Sequence, residues 1–182
     1  MRLHYLMACA VLAGCASGGA SVPGAGPREV TTRVETAEGP VDFRMVPSDP
    51  SAAFTIEAPP DSTWRVLALV YDQLKLHVTT LDTENRRLGV ENARILRRLG
   101  GTRLSKYLSC GERLGQPVAE TDEIRLTLLT QVVPDGPNRS TLHTLVNATA
   151  KQTGSGGAPI QCATTGILEQ EIVKLVRSRT AQ

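Results

Sequence analysis

Residues 123–151 read EIRLTLLTQVVPDGPNRSTLHTLVNATAK. Ile124, Leu126 and Leu128 alternate with Arg125 and Thr127. That period of two puts one face of a strand in a core and the other toward polar surroundings. The run 133–138, VPDGPN, carries the glycine, prolines, Asp and Asn that favour a turn. Beyond it, Leu142, Thr144, Val146, Ala148 and Ala150 again share a face. The stretch predicts a long antiparallel hairpin with one apolar side, and that side must be covered by another layer.

Two segments have the pattern to cover it. In DSTWRVLALVYDQLK, Trp64, Leu67, Tyr71 and Leu74 recur at helical spacing, behind the stop-and-start signal of Pro59, Pro60 and Asp61. In TTGILEQEIVKLVRSR, Leu168, Ile172, Leu175 and Val176 lie on one face. Glu169 and Glu171 stand near its start and Lys174, Arg177 and Arg179 near its end, which complements the helix dipole. Around these helices the sequence predicts further strands. Phe54 and Ile56 mark one before the first helix, and 76–81 (LHVTTL) a second after it. DTEN at 82–85 turns the chain into 86–90 and 93–99, strand or mixed structure ended by Gly100-Gly101. Residues 104–110 (LSKYLSC) read as a short strand, 111–122 as a loop, and 152–159 (QTGSGGAP) as a surface loop. The expected fold class is α+β: a single domain over 51–182, an antiparallel sheet with two helices packed on one face.

The N-terminal part reads differently. Arg2 precedes the apolar run LMACAVL, residues 6–12, and small residues lead to Cys15. This is the layout of a secretory signal peptide, and the run is far below the roughly 18 residues of a spanning helix. The order of charge, apolar run and Leu12-Ala13-Gly14-Cys15 resembles the bacterial lipobox. By that resemblance residues 1–14 are removed and Cys15 carries acyl chains. Two or more chains hold a protein stably on a membrane. Ala16 after the cysteine, where an Asp suggests inner-membrane retention, points to the outer membrane, with the domain facing the periplasm. Residues 15–50 are then a flexible or extended tether, rich at first in Gly, Ala, Ser and Pro. Within it REVTTRVET and VDFRMVPS alternate, with either a hairpin or an extended segment that docks in a complex as the outcome.

Composition excludes some functions. The chain has 20 Lys and Arg against 18 Asp and Glu, without the basic excess of nucleic-acid binders. Of four cysteines, Cys9 leaves with the signal and Cys15 is acylated. Cys110 and Cys162 remain, and an oxidising envelope makes them one disulfide, worth roughly 3 to 4.7 kcal/mol in the chain-entropy model. Their separation is unlike C-x-x-C, and no histidine is spaced to join them in a metal site. His77 and His143 fall in expected strands without a nucleophile or zinc motif, so catalytic residues, cofactor and metal are all expected to be none.

Two candidate sites stand out. Arg86, Arg87, Arg94, Arg97, Arg98, Arg103 and Lys106 form a basic run against Glu91 alone, suited to lipid head groups or an acidic partner surface. With only Tyr107 to stack on bases, nucleic acid is not its target. The space between sheet and helix offers the second: an apolar cavity lined by Trp64, Leu67, Tyr71, Leu126, Val146 and Ile172.

The lipobox, the helix entry APPDSTWRVL, the following LHVTTLDTENRRLGV and the terminal GILEQEIVKLV together resemble the helix-grip domains of the BamC family of envelope lipoproteins. That family accompanies the outer-membrane β-barrel assembly machinery. The resemblance spans about 52–180 in topology, with loose motifs. The family usually has two such domains where this chain has room for one, and a Cys110–Cys162 pair is outside its pattern. It implies a lipid-anchored, non-enzymatic binding or scaffolding protein of the envelope. The alternative is a carrier or sensor for a small apolar ligand in the helix-grip cavity.

Overall fold

The computed structural model describes residues 53–154 and 157–181, together with the backbone of 30–36 and 39–45. Cys15 and residues 1–14, read above as a leader, lie outside the described residues. The strands are β1 (Val30–Thr36), β2 (Gly39–Met45), β3 (Ala53–Ile56), β4 (Thr80–Asp82), β5 (Arg87–Leu96), β6 (Arg98–Leu99), β7 (Thr102–Arg103), β8 (Leu108–Ser109), β9 (Glu112–Arg113), β10 (Gln116–Pro117), β11 (Glu123–Pro134), β12 (Ser140–Lys151) and β13 (Ile160–Thr164). The helices are α1 (Pro60–Gln73), α2 (Leu104–Tyr107), α3 (Val118–Thr121) and α4 (Ile167–Thr180). The fold is α+β.

The long hairpin is the spine. β11 and β12 pair antiparallel without interruption from Glu123↔Lys151 to Pro134↔Ser140. Around them the sheet runs β4-β5-β11-β12-β13-β8, all antiparallel, with β3 sharing the far edge of β12. β3 takes the Ser140–His143 end of that edge and β13 the Ala148–Ala150 end.

Alternation decides which side is covered. Ile124, Leu126, Leu128, Thr130 and Val132 of β11 are buried, and the residues between them are half-buried. α1 lies on the buried side, tied down at two points. The Thr63 and Ser140 hydroxyls are 2.9 Å apart, and the Tyr71 hydroxyl is 2.9 Å from Thr130 Oγ1. Thr63, Leu67, Val70 and Tyr71 are the buried helix positions. Pro60 sits in the first turn, where its missing N–H costs nothing, and Lys75 at φ 61° ends the helix in a left-handed residue. α4 lies beside α1 against β12 and β3, burying Leu168, Ile172, Val173 and Val176. Gly166 at φ 80° turns the chain into it, and Arg177 reaches across to the Thr55 carbonyl at 2.8 Å.

Several expectations need correcting. Of 76–81 only Thr80 and Leu81 are strand, the start of β4; Leu76 is buried but unpaired in a ladder. Leu104–Tyr107 is a helical turn rather than a strand. Its two buried residues, Leu104 and Tyr107, are three apart, which fits a helical turn and not a period of two. Only Leu108–Ser109 of that stretch is extended. Residues 160–164 form a strand where none was read, and it carries Cys162 into the sheet. The loop 111–122 contains a small hairpin, β9–β10, and the turn α3. β5 runs unbroken as a strand but is bulged where the register shifts between Leu126 and Leu128, with Asn92 at φ 50°.

Cys110 and Cys162 are joined by a disulfide, their Cα atoms 4.3 Å apart. It links the segment after β8 to β13, just ahead of α4. The alternating segment before the domain is a two-stranded antiparallel ladder, β1–β2, with Val34 opposite Val41 and Thr36 opposite Gly39.

Candidate functional site

Among the described residues no long helix lies on the second face of the sheet as α1 lies on the first. The residues on it follow from register. On β11 and β12 they come in cross-strand pairs, Arg125 with Thr149, Thr127 with Asn147, Leu129 with Leu145 and Gln131 with His143. β5 adds Arg94 opposite Arg125 and Gly89 opposite Leu129, and β13 adds Gln161 opposite Thr149. This face is mostly amide, hydroxyl and charge, with the two leucines at its middle.

Gly89 has a local reason. A Cβ there would stand 2.5 Å from the Leu128 carbonyl oxygen and 2.8 Å from Leu129 Cδ1. The glycine lets Leu129 lie over the neighbouring strand. The β5 bulge has a consequence as well: it takes the Asn92 amide onto Thr127 Oγ1 at 3.2 Å and the Glu91 amide onto Thr79 Oγ1 at 2.9 Å. Gln161 is held by Asn147 Oδ1 at 2.8 Å and the Ala148 carbonyl at 3.0 Å.

Two clefts open on this face, and Arg125 lines both. One, of about 140 Å³, lies among Glu91, Asn92, Thr127, Asn147, Thr149 and Gln161. The other, of about 270 Å³, lies among Arg94, Glu123, Lys151 and residues 152–154.

The structure disperses the basic run read from the sequence. Arg86 pairs with Asp61 at 2.9 Å, beside α1. Arg87 stands opposite Asp82 on β4. Hydrogen bonds from Asn85 hold the Asp82 carboxyl below its ordinary range, and Arg87 adds a smaller attraction in the same direction. Arg103 pairs with Glu120 at 3.6 Å, and Ser105 also donates to that carboxylate. Arg98 donates to the Gly101 carbonyl in the tight β6–β7 turn. Arg97 and Lys106 are exposed. Only Arg94 joins a cleft, and its companions there, Arg125 and Lys151, stood outside the run. The signal that would have found them was the pairing of Arg94 with Arg125 across β5 and β11, which no linear reading contains.

The cavity residues are core. Leu67, Tyr71, Leu126 and Ile172 are fully buried in one contiguous cluster, with Trp64 and Val146 half-buried against it. The two clefts lie on the opposite side of the sheet from them. His77 and His143 are exposed. Among the described residues no group of three or more His, Cys, Asp or Glu is placed to hold a metal ion. No described helix is long and apolar enough to cross a membrane. No family model matches the chain, and a search of curated proteins finds no match either.

Proposed function

We propose that this protein is a lipid-anchored, non-enzymatic binding module of the cell envelope. Acyl chains on Cys15 hold it at the outer membrane, facing the periplasm, and residues 16–50 tether the domain. The helix-free face of the sheet is its binding surface, and the occupant is an envelope protein. The resemblance to BamC-type lipoproteins makes outer-membrane protein assembly the machinery to examine first.

The observation that carries the reading is the asymmetry of the sheet. One face is sealed by two helices, and α1 is tied down by two buried hydroxyl pairs. The other keeps a half-buried polar surface with two clefts. A broad polar face with a small apolar centre, here Leu129 and Leu145, has the make-up of a non-obligate interface.

The anchor is tested by the intact mass of membrane-extracted protein, with and without reduction and alkylation. An acylated Cys15 and two cysteines alkylated only after reduction are expected, and Cys15→Ser should leave the membrane. The surface is tested by cross-linking full-length protein in the envelope. Thr127→Arg with Thr149→Arg should abolish the cross-linked complex in a domain that still unfolds cooperatively, at a lower temperature because the Asn92 amide loses its acceptor and a second arginine stands opposite Arg125. A complex indifferent to both changes would remove the face from consideration.

A further inference from the structure

Arg94 and Arg125 are direct cross-strand partners on β5 and β11. Like charges placed so weaken a sheet. One carboxylate stands between them: Glu123 Oε1 lies 3.0 Å from Arg125 Nε and 3.7 Å from Arg94 Nε. Only the inner nitrogen of Arg125 is used in a hydrogen bond. The η nitrogens of both guanidiniums have no hydrogen-bond partner among the described residues. Lys151, the cross-strand neighbour of Glu123, lines the same cleft and has no carboxylate partner among the described residues. Three cations against one carboxylate leave a positive excess in a concavity of about 270 Å³.

This arrangement suits an anion with several oxygens. Each guanidinium edge offers parallel N–H groups that match two oxygens of a phosphate, and lysine adds a point charge. Glu123 orients Arg125 through Nε, so less side-chain freedom is lost when an anion binds. Elsewhere in the basic run, Arg86 and Arg103 are already committed to carboxylates. We propose that Arg94, Arg125 and Lys151 form a binding site for a phosphate group, carried by a lipid head group or by a small phosphate ester. The proposal rests on the reading of the helix-free face as a binding surface and is independent of the anchor.

The test is calorimetric titration of full-length protein in neutral detergent with inorganic phosphate, glycerol phosphate and dihexanoyl phosphatidic acid. Saturable binding is expected, weakened roughly tenfold or more in Arg94→Gln and Arg125→Gln, less in Arg125→Lys, and unchanged in Arg98→Gln. Tighter binding of the phosphatidic acid than of glycerol phosphate identifies a lipid head group, and equal binding a small ester; both support the site. No saturable binding of any probe, or binding unaffected by Arg125→Gln, overturns it. A readout on the unaltered protein removes any dependence on how a variant folds: phosphate should protect Arg125 from phenylglyoxal, and an unprotected Arg125 also overturns the site. Loss of the phosphate site with the cross-linked protein complex intact would refute this inference alone. The converse result would refute the protein-binding reading alone.

Discussion

The Tyr71 hydroxyl lies 2.9 Å from Thr130 Oγ1, in a buried polar chain that continues to Thr144 Oγ1 at 3.3 Å. It is the only described tyrosine hydroxyl hydrogen-bonded across the helix–sheet interface, and it fixes where α1 sits along β11. Tyr71→Phe removes the tie but keeps the ring, so it should cost about 1 kcal/mol, the net worth of a typical hydrogen bond. Thr130→Val leaves the phenol only its 3.5 Å bond to the Leu128 carbonyl and also takes the hydroxyl partner from Thr144, so it should cost about 1 to 3 kcal/mol. Urea unfolding of the two variants checks the order. A Tyr71→Phe variant less stable than Thr130→Val would show that the ring position, not the hydroxyl pair, is what matters.

The same phenol gives a pH dependence of known sign. Burial pushes its pKa well above the ordinary tyrosine range, and the Thr130 hydrogen bond offsets this only in part. A folded-state value raised above the unfolded one favours the protonated fold. The contribution is therefore fully present below the unfolded value of about 10 and is lost as pH rises beyond it. Wild type should lose stability above about pH 10 more steeply than Tyr71→Phe, by as much as about 1.4 kcal/mol per pH unit. Urea midpoints of the pair measured from neutral to alkaline pH test this, and parallel curves would contradict it.

Gly89 should tolerate no side chain. Its added Cβ meets a backbone carbonyl at 2.5 Å, which cannot swing away as a side-chain tip would. Gly89→Ala is expected to cost about 1 to 3 kcal/mol, the range for overpacking a filled site. Thermal unfolding reads the loss. An unchanged midpoint would mean that β5 can shift on β11 at no cost.

The hairpin and the long helices were legible because each carries its own period over ten residues or more. β11 alternates from Glu123 onward, and α1 repeats its apolar residues through Trp64, Leu67 and Tyr71. Short pieces were not legible. Leu104–Tyr107 holds one turn, too few residues to separate helix from strand, and Ile160–Thr164 becomes a strand only through pairing with Ala148–Ala150. The disulfide partners were legible by elimination. The positive cleft was not, since Arg94, Glu123, Arg125 and Lys151 sit on three strands and meet only through register.

Cys110 and Cys162 are 52 residues apart in sequence and both buried. Closing a loop of that length removes chain entropy from the unfolded state, worth about 4 kcal/mol in the chain-entropy treatment. In the folded state the bond fixes the end of β8 to β13, and α4 begins five residues after Cys162. Cys110→Ser with Cys162→Ser should therefore lower stability by about that amount relative to oxidised wild type. Amide exchange should rise first in β8, in β13 and at the start of α4, since local opening begins where a constraint is released. Reductant should bring wild type down to the level of the double variant and leave the double variant unmoved. Equal urea midpoints for oxidised wild type and the double variant would show that the bond adds nothing to the fold.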